Sequence, residues 1–267
     1  MDDLEAQRAS ATEAVILMAG VGSRLGGAGG ALAKPLVQIA GRPLISFTFE
    51  AFERAGVRTV HAVMGANHEL LTEQLRPLVP PTMRLNCIVN PEWQKQNGVS
   101  VLAATRAVSG TFFLAMGDHL FDFSLLDALI TSRNPAPLLL AVDRKIDSIF
   151  DLDDAMKVRT ENDQIVAIAK DLEDYDATDT GLFLCSHEIF SYLQRAKHNG
   201  DCSLADGVRL MAADGKAHVV DIADGWWQDV DTPEMLARAE RESARLLRQD
   251  RSRRAEESVP SKHGTRS

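Results

Sequence analysis

AVILMAGVGSRLGGAGGALAKP (Ala14–Pro35) joins an uninterrupted apolar run to a glycine-rich loop and leaves it through a Lys-Pro pair. Val15, Ile16, Leu17 and Met18 suit a strand buried on both faces of a parallel sheet. The loop that follows carries Gly20, Gly22, Gly26, Gly27, Gly29 and Gly30, which leave backbone N–H groups free to converge on one anion. Phosphate is the anion this chemistry fits. Arg24 adds a forked donor inside the loop and Lys34 a point charge at its exit, so both can neutralise charge on a phosphoryl group.

Two other phosphate loops do not match. A dinucleotide fingerprint needs glycine where Leu25 stands, and no acidic residue closes a second strand at the required distance. A P-loop needs Ser or Thr after its lysine, whereas Lys34 is followed by Pro35. A plain surface loop after a core strand explains the glycines but not the basic residues placed within and after them.

AGVGSRL followed by KPL resembles the signature loop of nucleotidyltransferases, which join a nucleoside triphosphate to a phosphorylated small molecule and release pyrophosphate. The resemblance implies that this loop, with Ala19, Gly20, Gly22 and Ser23, wraps the triphosphate while Arg24 and Lys34 contact it. The fold it implies is α/β: one Rossmann-like domain over residues 13–239, a mostly parallel mixed sheet flanked by helices.

Composition fits an enzyme of this kind. At 267 residues, 45% hydrophobic and 25% charged, the chain can bury a substantial core. Its net charge of −9 argues against nucleic acid or a membrane surface as partner, since both call for dense basic patches. Cys87, Cys185 and Cys202 are few and widely spaced, so neither a disulfide framework nor a zinc site is expected. The acidic start MDDLEAQRAS differs from a signal peptide, and no apolar run reaches the ~18 residues of a membrane span. These features predict a cytoplasmic protein; a homodimer is compatible with them.

Beyond the loop, Leu44, Phe47, Phe49 and Phe52 recur at helical spacing, TVHAVMG and MRLNCIVN read as strands, and the β-α-β-α-β order predicts a parallel sheet. NPEWQKQNGVS (residues 90–100) is a polar break at a strand's carboxyl end, the position of functional loops in such sheets. In nucleotidyltransferases the corresponding loop packs on the nucleobase, which makes Asn97, Gly98 and Ser100 nucleotide-binding candidates; Asn97 as a helix cap explains the same residues locally. TFFLAMGDHLFD then places Asp118 at the end of a core strand. Magnesium favours a few carboxylates plus phosphate oxygens and water, so Asp118 is a metal candidate. The Gly-Asp-His sequence at 117–119 is similar to that of CTP:inositol-1-phosphate cytidylyltransferases and their relatives.

DLDDAMKVRTENDQIVAIAKDL reads as a hairpin turning at Glu161–Asp163. By resemblance this region holds the second substrate, with Lys157 and Lys170 toward its phosphate and His119, Asp179, Thr180 and Gly181 toward its body. The two lysines also read as solvated surface charges. In WWQDVDTPEM the alternation of Asp229 and Asp231 points both to one side, where either can join Asp118 at Mg²⁺. Asp231 as a helix cap is the local alternative. The alternating Arg, Glu and Ala after Leu236 predict a charged helix, with its end and a disordered tail over 240–267.

The resemblance implies CTP and a phosphorylated polyol, inositol 1-phosphate foremost, as substrates and Mg²⁺ as cofactor. Phosphocholine, a phosphonate or a sugar 1-phosphate are the other acceptors it allows. From another class stands an inactive nucleotide-binding regulatory subunit, against which the joint presence of Arg24, Lys34, Asp118 and Asp229 speaks.

Overall fold

The computed structural model of the chain describes residues 11–20 and 33–243. Gly22, Ser23 and Arg24, and residues 244–267 of the expected charged end and tail, lie outside the described residues; 240–243 are helical. The strands are β1 (Glu13–Met18), β2 (Gln38–Ile39), β3 (Arg42–Pro43), β4 (Thr59–Met64), β5 (Arg84–Val89), β6 (Phe112–Met116), β7 (His119–Phe121), β8 (Leu138–Asp143), β9 (Lys157–Glu161), β10 (Gln164–Ala169), β11 (Ala177–Cys185), β12 (Ala217–Asp221) and β13 (Trp227–Asp229). The helices are α1 (Leu44–Arg54), α2 (His68–Leu75), α3 (Asn97–Ala103), α4 (Phe123–Thr131), α5 (Glu188–Ala196), α6 (Leu204–Ala213) and a last helix, α7, over 233–243.

A nine-stranded sheet runs in the order β5-β4-β1-β6-β11-β8-β12-β10-β9. Its first four strands are parallel, as are β8 and β12, while β11 runs antiparallel to both β6 and β8. The expected mostly parallel mixed α/β sheet is therefore the observed one. Alternate residues of each central strand enter opposite cores, as a strand's period of two requires. Val15, Val63, Phe112, Leu114 and Leu140 join α3, α5 and α6 on one face; Ile16, Ala62, Phe113, Ala115 and Leu139 join α1, α2 and α4 on the other. Such two-sided burial explains why these strands read as continuous apolar runs.

Two small ribbons stand apart from the sheet, β2–β3 and β7–β13. A third cluster, including Ile39, Leu44, Phe47, Leu120, Val230 and Ala239, packs the ribbons against α1 and α7. The helices begin where side chains replace missing backbone partners. Ser203 and Asp206 form a capping box at α6, and Asp122 accepts the Ser124 N–H at α4.

At α3 the structure gives two of the nucleotide-binding candidates local packing roles. A β-carbon on Gly98 would stand 2.6 Å from the Cys202 carbonyl oxygen, so glycine is required for α3 to meet the backbone entering α6. Ser100 is buried, and its hydroxyl accepts from the Asn90 amide at 3.0 Å. Both residues have local packing reasons. Gly98→Ala is accordingly expected to destabilise the fold by about 1–3 kcal/mol, because the obstacle is backbone rather than a pliable side chain. Urea unfolding of the variant checks this; an unchanged midpoint would refute the packing account.

Candidate active site

Strands β1 and β6 are parallel neighbours, so whatever follows each of them emerges at the same end of the sheet. Gly117, just past β6, donates its N–H to the Leu17 carbonyl at 2.9 Å and lies under Pro35. This contact brings the Lys-Pro exit of the glycine loop beside Asp118. Lys34 Nζ stands 2.9 Å from Asp118 Oδ2 and also donates to Asp231. All three side chains are mostly enclosed, at 18%, 26% and 16% exposure for Lys34, Asp118 and Asp231.

Asp231 and Asp229 arrive through the β7–β13 ribbon, in which Asp229 pairs with His119 and the Val230 N–H donates to the Asp118 carbonyl at 2.9 Å. Asp231 is not the helix cap: at α7 it is the Thr232 hydroxyl that accepts the Met235 N–H, at 3.3 Å. The electrostatics differ between the carboxylates. Burial works against the charge of Asp118, but the neighbouring His119 and the Lys34 ammonium outweigh it and hold the carboxyl below its ordinary value. Asp229 goes the other way. Burial raises it, and the neighbouring charges of Asp231 and Asp118 add to the rise against the pull of His119. Lys34, despite partial burial, is held above the ordinary lysine value by Asp118 and Asp231.

His119 is fixed from below. Its Nδ1 lies 2.8 Å from the Thr180 carbonyl, an acceptor only, so Nδ1 carries a proton, and Nε2 faces Asp118 at 3.8 Å. Gly181 sits at φ +75°, and any β-carbon there would fall 2.3 Å from His119 Nδ1. The Asp-Thr-Gly stretch lies inside β11, at an irregularity between Asp179 and Phe183. Asp179 and Gly181 face the cavity, while Thr180 turns away, fully buried, and donates to the Ala141 carbonyl at 2.8 Å. Thr180 is thus corrected from a substrate-facing residue to a sheet-internal one.

Burial pushes the Asp179 carboxyl up to about 6, against the Gly181 N–H that donates to it at 2.6 Å. A carboxyl raised on folding favours the folded state most when protonated. That contribution is complete below pH ~4, the ordinary aspartate value, and is lost as pH climbs through about 6. Asp179→Asn should therefore gain stability relative to the natural chain between pH 4.5 and 7.5; melting curves at the two pH values test it, and a constant difference would refute it.

Asp118, His119, Asp179, Gly181, Asp229 and Asp231 line one cavity of about 320 Å³, with Asn97, Trp226, Trp227 and Lys170 also on its wall. Asn97 reaches it from the first turn of α3 while its Oδ1 accepts the Leu204 N–H at 2.8 Å. Lys157 is not on the wall: its ammonium donates to the Lys170 carbonyl at 2.6 Å and lies near the Tyr175 ring. Sequence reading also missed three wall residues. Asp143 is buried and binds Trp227 Nε1 at 3.2 Å and Lys145 Nζ at 2.8 Å, and Arg238 reaches in from α7. The carboxylate ending the apolar run LLLAVD was a signal for Asp143; the other two carried none.

Among the described residues no group of three or more His, Cys, Asp or Glu is spaced to hold a metal alone. The carboxylates beside Lys34 provide part of an oxygen shell, which suits a hard cation that completes its coordination with water and phosphate. The Lys34 ammonium between Asp118 and Asp231 marks the place as one that accepts positive charge.

Residues 14–254 match the MobA-like NTP transferase domain, most of the chain. The chain belongs to that family. Among this nucleotidyltransferase's relatives is the bifunctional IPC transferase and DIPP synthase of Thermococcus kodakarensis, 32% identical over 85% of this chain and 50% of the relative. The CMP-5'-(3-aminopropyl)phosphonate synthase of Streptomyces rubellomurinus is 30% identical over 82% of this chain and 37% of that protein. The chain thus spans about half the length, or less, of these curated relatives. Among solved structures, the inositol-1-phosphate CTP transferase from T. maritima superposes with a TM-score of 0.75 at 25% identity, over 86% of this chain and 96% of the other. Among the described residues no helix is long and apolar enough to cross a membrane.

Proposed function

We propose that this nucleotidyltransferase moves the cytidylyl group of CTP onto a phosphorylated polyol, inositol 1-phosphate foremost, and releases pyrophosphate. The observation that carries the reading is the Lys34–Asp118–Asp231 centre at the exit of the glycine loop, opening on a cavity lined by Asp179, His119 and Asp229. Cations and carboxylates interleaved at a phosphate loop serve phosphoryl chemistry, and the lining carboxylates can accept hydrogen bonds from hydroxyl groups. The names of the relatives support cytidylyl transfer and inositol phosphate as first choices.

In this reaction an oxygen of the acceptor phosphate attacks the α-phosphorus of CTP as the bond from that phosphorus to the oxygen bridging to the β-phosphate breaks. A phosphate monoester has its second pKa near ~6, so at neutral pH the attacking group is already a dianion and needs no general base. What remains is to hold two polyanions in line and offset their repulsion. Lys34 supplies positive charge at the loop exit, and Arg24 a second cation within the loop. Asp118, with Asp229 or Asp231, would hold Mg²⁺, which when bound supplies charge screening for the phosphates. His119, locked by Thr180 and Gly181, stiffens the floor between the two aspartates. Asp179 faces the acceptor body, where a hydroxyl would meet a carboxylate that burial has left short of partners.

A second reading has its own observation: Asp151, Asp154 and Asp179 add to the acidic wall, which also suits an acceptor bearing an amine, such as an aminoalkylphosphonate. Pyrophosphate release with CTP, UTP and dTTP against inositol 1-phosphate, glucose 1-phosphate, phosphocholine and 2-aminoethylphosphonate separates the readings. A preference for the phosphonate or phosphocholine by about tenfold, ~1.4 kcal/mol in transition-state binding, would overturn the polyol assignment and leave cytidylyl transfer in place.

A further inference from the structure

Three basic side chains line the cavity away from Lys34: Lys145, Lys170 and Arg238. The first two are committed. Lys145 Nζ lies 2.8 Å from Asp143 and 2.5 Å from the Ala223 carbonyl, and Lys170 Nζ lies 2.5 Å from Asp154. Arg238 differs. One of its terminal nitrogens donates to the Ser148 carbonyl at 3.1 Å, and its guanidinium sits 5.4 Å from the centre of the Phe150 ring. Among the described residues no carboxylate is paired with it.

We propose that Arg238 is the residue that receives the dianionic phosphoryl head of the acceptor. The proposal rests on the transfer reading above and adds to it the group that anchors the second substrate. An anion brought to Lys145 or Lys170 must compete with a carboxylate already in contact, and the displaced carboxylate would stay nearby as a repelling charge. At Arg238 no carboxylate of the described residues has to be displaced. A guanidinium carries five N–H donors in a rigid fork that fits two phosphate oxygens, and the single carbonyl contact leaves most of them available.

Its setting favours a working ligand over a loose surface charge. Arg238 is half-buried on the cavity wall, and its guanidinium carbon lies over the Phe150 ring. It also stands on α7, the helix that begins two residues after Asp231. The same short segment thus carries an aspartate of the ionic centre and the anchoring cation, so the anchored phosphate is held at a constant offset from Asp118 and Asp231.

The test is a comparison of Arg238→Gln and Arg238→Lys with the natural chain. The glutamine variant should raise KM for the acceptor at least about tenfold, with KM for CTP and the melting temperature nearly unchanged, and lysine should recover part of the loss. Inorganic phosphate, titrated into the nucleotide-free protein and followed by phosphorus NMR line width, should bind Arg238→Gln correspondingly more weakly. If acceptor KM and phosphate affinity are both unchanged, or CTP KM rises alongside acceptor KM, Arg238 is a strut or a nucleotide contact and the proposal falls. Should the natural chain transfer cytidylyl to none of the acceptors while phosphate binding still drops in the variant, the transfer reading fails and the anion site stands.

Discussion

Asp118→Asn is expected to lower kcat/KM about a thousandfold, equivalent to ~4 kcal/mol, while the melting temperature changes little. The carboxylate lies at the junction of β6 with the ribbon, in contact with Lys34 and held ionised by His119 and Lys34. Asparagine keeps the volume and one acceptor oxygen but removes the charge that any cation at this place would neutralise. Stability is spared because Lys34 retains Asp231 and the side chain of Asp118 packs into no apolar cluster. Steady-state kinetics with CTP and inositol 1-phosphate, alongside a thermal melt, decide the matter. Turnover at the natural rate would show that Asp118 is a structural ion-pair partner and nothing more.

Lys34→Met should have the second largest effect, and in two directions. Catalysis falls by about a hundredfold or more with little change in KM for CTP, if the ammonium acts chiefly on charge that grows at the transition state. At the same time the nucleotide-free protein should bind Mn²⁺ more tightly than the natural chain. Removing the ammonium leaves Asp118 and Asp231 facing each other, with Asp229 close enough to raise the cost of their charges, and without the closest positive charge that offsets them. An electron paramagnetic resonance titration with Mn²⁺ reads this without any turnover. Equal or weaker binding by the variant would mean that Lys34 does not compete for the place a metal takes.

The physical origin of each element determines how far the sequence alone reached. β1, β6 and β8 announced themselves because burial on both faces demands unbroken apolar runs, and the glycine-loop, Gly-Asp and Trp-Gln-Asp stretches because their chemistry is local. The direction of β11 was not legible. It is imposed by insertion between β6 and β8, and no residue of Ala177–Cys185 encodes orientation. Thr180 was misplaced because Asp-Thr-Gly was treated as one patch, whereas a strand alternates its faces and sends the middle residue inward. The packing reason for Gly98 was not legible either, because the backbone that its missing β-carbon would meet comes from Cys202 and Ser203, far along the chain. Lys145 and Arg238 were invisible for a similar reason. A lysine after a strand and an arginine in a charged helix are ordinary until the fold turns them onto a common wall.

The β7–β13 ribbon has a consequence for how the protein comes into being. Lys34 and its two carboxylates are separated by 84 and 197 positions in sequence, and the second of these is delivered only when β13 docks on β7. A chain emerging from the ribosome can complete the glycine loop, β1 and β6 long before Asp231 is synthesised, and until then Lys34 faces Asp118 without its second anion. Non-local closure of this sort is a late step in folding, since loop entropy must be overcome before the contact is gained. The ionic centre is therefore a record of completed folding as much as an apparatus for chemistry: exchange protection of the Val230 amide, which is bonded to the Asp118 carbonyl, would time the moment at which a newly made chain becomes an enzyme.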